Sequence, residues 1–105
     1  MAKIDYNKAI RDNIPEIIEK SGKNCNVKTL SNEEFLKELE KKLIEELQEY
    51  QESKDVKELA DILEIIYRIS SLKGTTIEQL DMIRKDKATK RGLFEKNLFL
   101  ISTED

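Results

Sequence analysis

The sequence predicts an all-α protein, four helices forming a bundle about a central antiparallel helical hairpin. Three observations predict it. Between residues 32 and 91, apolar residues recur at spacings of three and four, in runs that open on a Ser, Asp or Thr cap. Charged residues make up 39% of the 105 residues and aromatics 6%, with three Gly, one Pro and no Trp, a balance that favours helices over a strand-rich sandwich. The link around residues 53–55 is too short for anything except an antiparallel pair of helices.

The elements follow in order. Asn13 is placed to cap a short first helix over about residues 14–21, where Pro15 falls at a position whose missing N–H does no harm. Ile14, Ile17 and Ile18 give that helix an apolar face, and Gly22 ends it. Residues 25–30 alternate weakly, and Leu98-Phe99-Leu100-Ile101 is the other strand-like segment, so the two are expected to pair as a minor two-stranded ribbon. Ser31 with Glu34 reads as a capping box opening a second helix over 32–53. Asp55 with Glu58 repeats that signal for a third over 56–73, closed by Lys73-Gly74. Thr76 with Gln79 opens a fourth that stops near Arg91-Gly92. No repeat or second domain interrupts residues 1–105.

Composition excludes several function classes. The net charge of -3 comes from 22 acidic and 19 basic residues, mostly interspersed, which argues against a nucleic-acid-binding surface. One cysteine, Cys25, rules out an intrachain disulfide and a cysteine-rich zinc site, and suits a reducing cytosol. With no histidine, Ser-His-Asp and Cys-His catalysis are absent, and carboxylates are left as acids, bases and ligands. No stretch approaches the ~20 apolar residues of a membrane span and no leader pattern opens the chain, so a cytoplasmic location is expected.

The carboxylates are patterned. On the second helix, with Leu39 as zero and ~100° per residue, Leu43 falls at about 40°, Tyr50 at about 20° and Glu46 at about -20°. Glu46 therefore sits inside the apolar stripe, Glu49 lies at its edge one turn on, and Glu45 points outward. On the third helix Glu58 shares the side of Ile62 and Ile65, with Asp61 one turn later. Across an antiparallel hairpin, Glu49 and Glu58 lie at one height and Glu46 and Asp61 at another, so four carboxylates are expected to converge. Crowded beside a core, they raise one another's pKa values, and a divalent cation relieves that conflict. Ligation by oxygen alone favours Mg²⁺, or else Mn²⁺, with open positions for phosphates. The plain alternative is that acidic pairs at this spacing are solvated helix faces, which is what most of them are.

These residues resemble a known family. Glu45-Glu46-x-x-Glu49 followed by Glu58-Leu59-Ala60-Asp61 resembles the E-E-x-x-E and E-x-x-D motifs of MazG-like all-α nucleotide pyrophosphohydrolases. The segment from Tyr6-Asn7-Lys8-Ala9-Ile10-Arg11-Asp12 to Ile18 is similar to the opening of the phosphoribosyl-ATP pyrophosphohydrolase-like branch. Lys87-Ala88-x-x-Arg91-Gly92-x-Phe94-Glu95 is similar to its close. The resemblance implies Mg²⁺-dependent cleavage of a nucleoside triphosphate, or of a phosphoribosyl-ATP-like nucleotide, between the α and β phosphates. It implies that Glu46, Glu49, Glu58 and Asp61 ligate the metal, and it leaves Glu45 to orient or deprotonate the attacking water. Ala9 departs from the branch, where a bulkier residue is usual, as does Leu93, where a second glycine is frequent.

The basic partner is expected on the fourth helix, where Arg84, Lys87 and Arg91 turn one face cationic; Lys8 and Arg11 are lesser candidates for phosphate binding. The same basic residues also answer a helix C-terminus. Tyr50, Tyr67 and Phe94 are expected in the core rather than against a base. The third helix is apolar around more than half its circumference, which predicts a homodimer or higher homo-oligomer. A helical dimerisation module, or a nucleotide sensor without turnover, is the competing reading of the chain.

Overall fold

A computed structural model describes residues 2–105. It contains four helices, α1 (Ile14–Lys20), α2 (Asn32–Ser53), α3 (Val56–Leu72) and α4 (Ile77–Arg91), in the expected order and within a residue of the expected ends. Sequence-local chemistry sets the boundaries. Ser31 Oγ accepts the Glu34 N–H at 3.2 Å while the Glu34 carboxylate accepts from the Ser31 N–H at 3.5 Å, and Thr76 with Gln79 repeats the arrangement at α4. Lys54 takes a left-handed φ of 57° to close α2, and Asp55 opens α3 by accepting the Lys57 N–H at 2.9 Å.

Three local expectations are corrected. The Asn13 side chain makes no cap hydrogen bond; α1 is entered through helical backbone, the Ile17 N–H donating to the Asn13 carbonyl. Glu58 does not complete a capping box with Asp55, and its carboxylate turns instead toward Glu46 and Asp61. The ribbon does not form: residues 25–30 and 98–101 are irregular, and no strand occurs among the described residues. Leu98, Phe99, Leu100 and Ile101 are 78–88% exposed, and two short strands with no sheet or helix beneath them do not hold together in water.

α2 and α3 pack along their length as the antiparallel hairpin, α4 lies against α3, and α1 stands apart from the other helices. The core is small. Ala9, Leu39 and Ile65 form it, with Phe35, Leu43, Ile69 and Leu72 packed against them. Ala9 matters most for the site, because it pins the otherwise irregular segment before α1 onto the hairpin. A bulkier residue would hold that segment further off.

The chain is extended, at 66 × 32 × 24 Å with a radius of gyration of 18.5 Å, against about 13 Å for a compact domain of this length. The exposed side chains explain the difference. Ile44 and Leu47 of α2, Leu59, Leu63 and Ile66 of α3, and the tail from Leu98 all face outward. Phe94, expected in the core, is 99% exposed, whereas Tyr50 and Tyr67 are half-buried.

Candidate metal centre

The hairpin brings Glu46 of α2 to Glu58 and Asp61 of α3. One carboxylate oxygen from each lies within 4.8 Å of the other two, a spacing that a single divalent ion can span. The helix period accounts for the convergence: Glu58 and Asp61 are one turn apart on the face that α2 covers, and Glu46 projects from the stripe that carries Leu39.

Glu46 is the unusual member. It is 8% exposed, and its Oε2 is buried with no hydrogen-bond donor. Lys42, one turn earlier on α2, reaches its other oxygen only at 3.8 Å. Burial above all, then Glu49 through hydrogen bonding and charge, and the charge of Asp61, together push the Glu46 carboxyl up to about 7 against the opposing charge of Lys42. A hydrogen bond between Glu46 and Glu49 needs a proton on one of the two carboxyls, because two ionised carboxylates have no donor between them. With both ionised, Glu46 Oε2 is an acceptor without a partner in a dry place, a costly arrangement that a cation or a proton relieves.

The other acidic candidates are placed differently. Glu49 is exposed and stands at the rim of the site, acting on it through Glu46. Glu45 is half-buried, is not among the three converging carboxylates, and pairs with Lys8 at 3.4 Å.

The cations beside the site come from the chain start. Arg11 Nη2 contacts Asp61 Oδ1 at 2.8 Å, and Lys8 sits on Glu45, so the segment anchored by Ala9 lays two positive charges along the acidic cluster. By sequence these two are the lesser of the basic candidates. The signal was the Lys8-Ala9-Ile10-Arg11 pattern itself, cations flanking apolar residues that dock on the core. On α4, Arg84 is committed to Asp81 at 2.8 Å, where Arg84 and Lys85 hold the Asp81 carboxyl below its ordinary value. Lys87 and Arg91 are exposed, and among the described residues no ion pair or hydrogen bond joins them or Arg84 to the four carboxylates. Cys25 is a half-buried free thiol.

The donor set suits a hard divalent cation: oxygen ligands only, an excess of negative charge at one point, and one ligand oxygen without another partner. No helix among the described residues is long and apolar enough to cross a membrane. The chain matches no protein-family model, no curated protein and no solved structure.

Proposed function

We propose that the protein is a Mg²⁺-dependent nucleotide pyrophosphohydrolase, cleaving a nucleoside triphosphate or a phosphoribosyl-ATP-like nucleotide between the α and β phosphates. The observation that carries the reading is Glu46, a buried carboxylate with one unpartnered oxygen, converging with Glu58 and Asp61. A carboxylate in that position is a liability for stability alone and useful for holding a cation. The motif resemblance supplies the reaction.

In this reading Glu46, Glu58 and Asp61 hold the ion, and Glu49 closes the site from the rim. A divalent cation there supplies charge neutralisation and polarisation at the phosphates. Arg11 and Lys8 face the polyphosphate and offset the charge that builds on the leaving pyrophosphate. Glu45 orients a water and takes its proton as the water oxygen bonds to the α phosphorus and the bond to the β-phosphate oxygen breaks.

Release of pyrophosphate from a panel of nucleoside triphosphates, dependent on Mg²⁺ or Mn²⁺, tests the reading. Saturation at ~100 times the dissociation constant is also expected to add about 2.7 kcal/mol to stability, seen as a rise in Tm with Mg²⁺. A helical interaction module predicts no such rise, and a nucleotide sensor predicts binding without product.

The protein is further read as cytoplasmic and as a homodimer or higher homo-oligomer, the association supported by the apolar side chains that α2 and α3 leave exposed. Sedimentation equilibrium is expected to return at least twice the monomer mass for the wild type. Leu63→Glu, a charge placed on that face, is expected to shift it to the monomer. A wild-type monomer at high concentration would overturn this reading and leave the metal site untouched.

A further inference from the structure

We propose that a cavity beside the carboxylates, of about 400 Å³ and walled by the chain start and α2, receives the nucleoside part of the nucleotide, with Tyr6 stacking on its base. The inference rests on the nucleotide reading above and adds the direction in which the substrate lies.

Position comes first. Lys8, Lys42 and Glu45 line the cavity, and the same three residues lead into the acidic site: Lys42 reaches Glu46 at 3.8 Å, Glu45 is its neighbour in sequence, and Lys8 bridges to Glu45 at 3.4 Å. A molecule whose phosphates lie at Glu46, Glu58 and Asp61 therefore has an adjoining recess for its remainder. The volume falls in the range of small-molecule sites, about 300 to 1,000 Å³.

Chemistry separates nucleoside from bare phosphate. Three carboxylates, Asp5, Glu38 and Glu45, face three lysines, Lys8, Lys41 and Lys42, so the lining carries no net charge. Every lysine already has an acidic partner, Lys41 taking Glu38 at 3.2 Å. A lining without net charge has little to hold an isolated polyanion. Ribose hydroxyls both donate and accept, and the Asp5 and Glu38 carboxylates with the Asn7 amide answer both needs.

Tyr6 supplies the flat surface. Its side chain is 67% exposed at the cavity, and Lys8 Nζ stands 5.8 Å from the ring centroid, so the aromatic face and the first phosphate-facing cation are adjacent. Asn7 between them holds a left-handed φ of 48°, which Asn tolerates better than most residues, and the chain bends at Lys8. A local conformation of this kind, in a segment pinned by the buried Ala9, fixes the ring and the ammonium together.

Titration calorimetry on the intact protein with Mg²⁺ tests this, using the α,β-methylene analogue of ATP and inorganic tripolyphosphate as probes. Tyr6→Leu is expected to weaken the analogue about tenfold and to leave tripolyphosphate binding unchanged, and Tyr6→Phe to bind the analogue like the wild type. The exposure of Tyr6 makes both substitutions compatible with folding. If Tyr6→Leu leaves the analogue unaffected, or weakens both probes alike, the cavity assignment falls. In that case Mg²⁺-dependent binding of either probe that Glu46→Gln abolishes keeps the nucleotide reading alive. If neither probe binds the wild type, both readings fall.

Discussion

In metal-free buffer, Glu46→Gln is expected to stabilise the protein at pH 8 by about 3 kcal/mol and to have no effect near about pH 4. The folded chain holds the Glu46 carboxyl at about 7, above its ordinary value of 4.5. Folding therefore takes up a proton across that window. Below it both states are protonated and the contribution to stability is fully present; as pH rises through the folded value the contribution is lost. The amide of Gln carries no charge to bury and donates to Glu49, so it escapes the loss. Thermal or urea unfolding of both proteins in EDTA across this pH range gives the difference directly, free of the other groups that titrate in both. With Mg²⁺ at ~100 times the dissociation constant most of the difference is expected to vanish at pH 8, because the cation adds about 2.7 kcal/mol to the wild type and has lost a ligand in the variant. A Glu46→Gln protein no more stable than the wild type at pH 8 would show that Glu46 is at ease in the fold, and would remove the observation on which the metal site stands.

The second large effect concerns turnover. Glu49→Gln with Asp61→Asn is expected to lower kcat/KM for pyrophosphate release by about a thousandfold, on the order of 4 kcal/mol of transition-state stabilisation. The double variant removes one of the three converging carboxylates and the rim carboxylate, and it releases Arg11 from its 2.8 Å contact with Asp61. Because Glu49 is exposed, Asp61 is only partly buried and both keep their shape as amides, folding is expected to survive, and circular dichroism checks it. Undiminished release by this variant would withdraw the site assignment, whatever the activity of the wild type.

Glu46 and Glu49 have different parts in these outcomes. Glu46 sits in the dry seam between the helices, where removing its charge changes stability as well as chemistry. Glu49 meets water, so its substitution is expected to act on metal and substrate more than on the fold.

Most helix boundaries were legible in the sequence because they are local. Ser31 with Glu34 and Thr76 with Gln79 close their boxes within four residues, Asp55 caps within three, and Lys54 turns the hairpin in the only space the chain leaves. The convergence of Glu46 with Glu58 and Asp61 was legible too, since a short antiparallel link and a period of 3.6 residues fix which positions face each other. What periodicity does not encode is where an irregular segment lands. Ala9 docking on Leu39 and Ile65 brought Lys8 and Arg11 to the carboxylates, while α4 kept Arg84 on its own Asp81. The tail shows the same limit from the other side. Leu98-Phe99-Leu100-Ile101 carries strand-like residues, yet a strand needs a partner at a distance, and none of the described residues offers one. Sequence alone thus determined the helices and the acidic half of the site, through contacts a turn or a hairpin apart; the tertiary structure decided its basic half and the cavity beside it, because both depend on packing between segments about 30 to 50 residues apart in the chain.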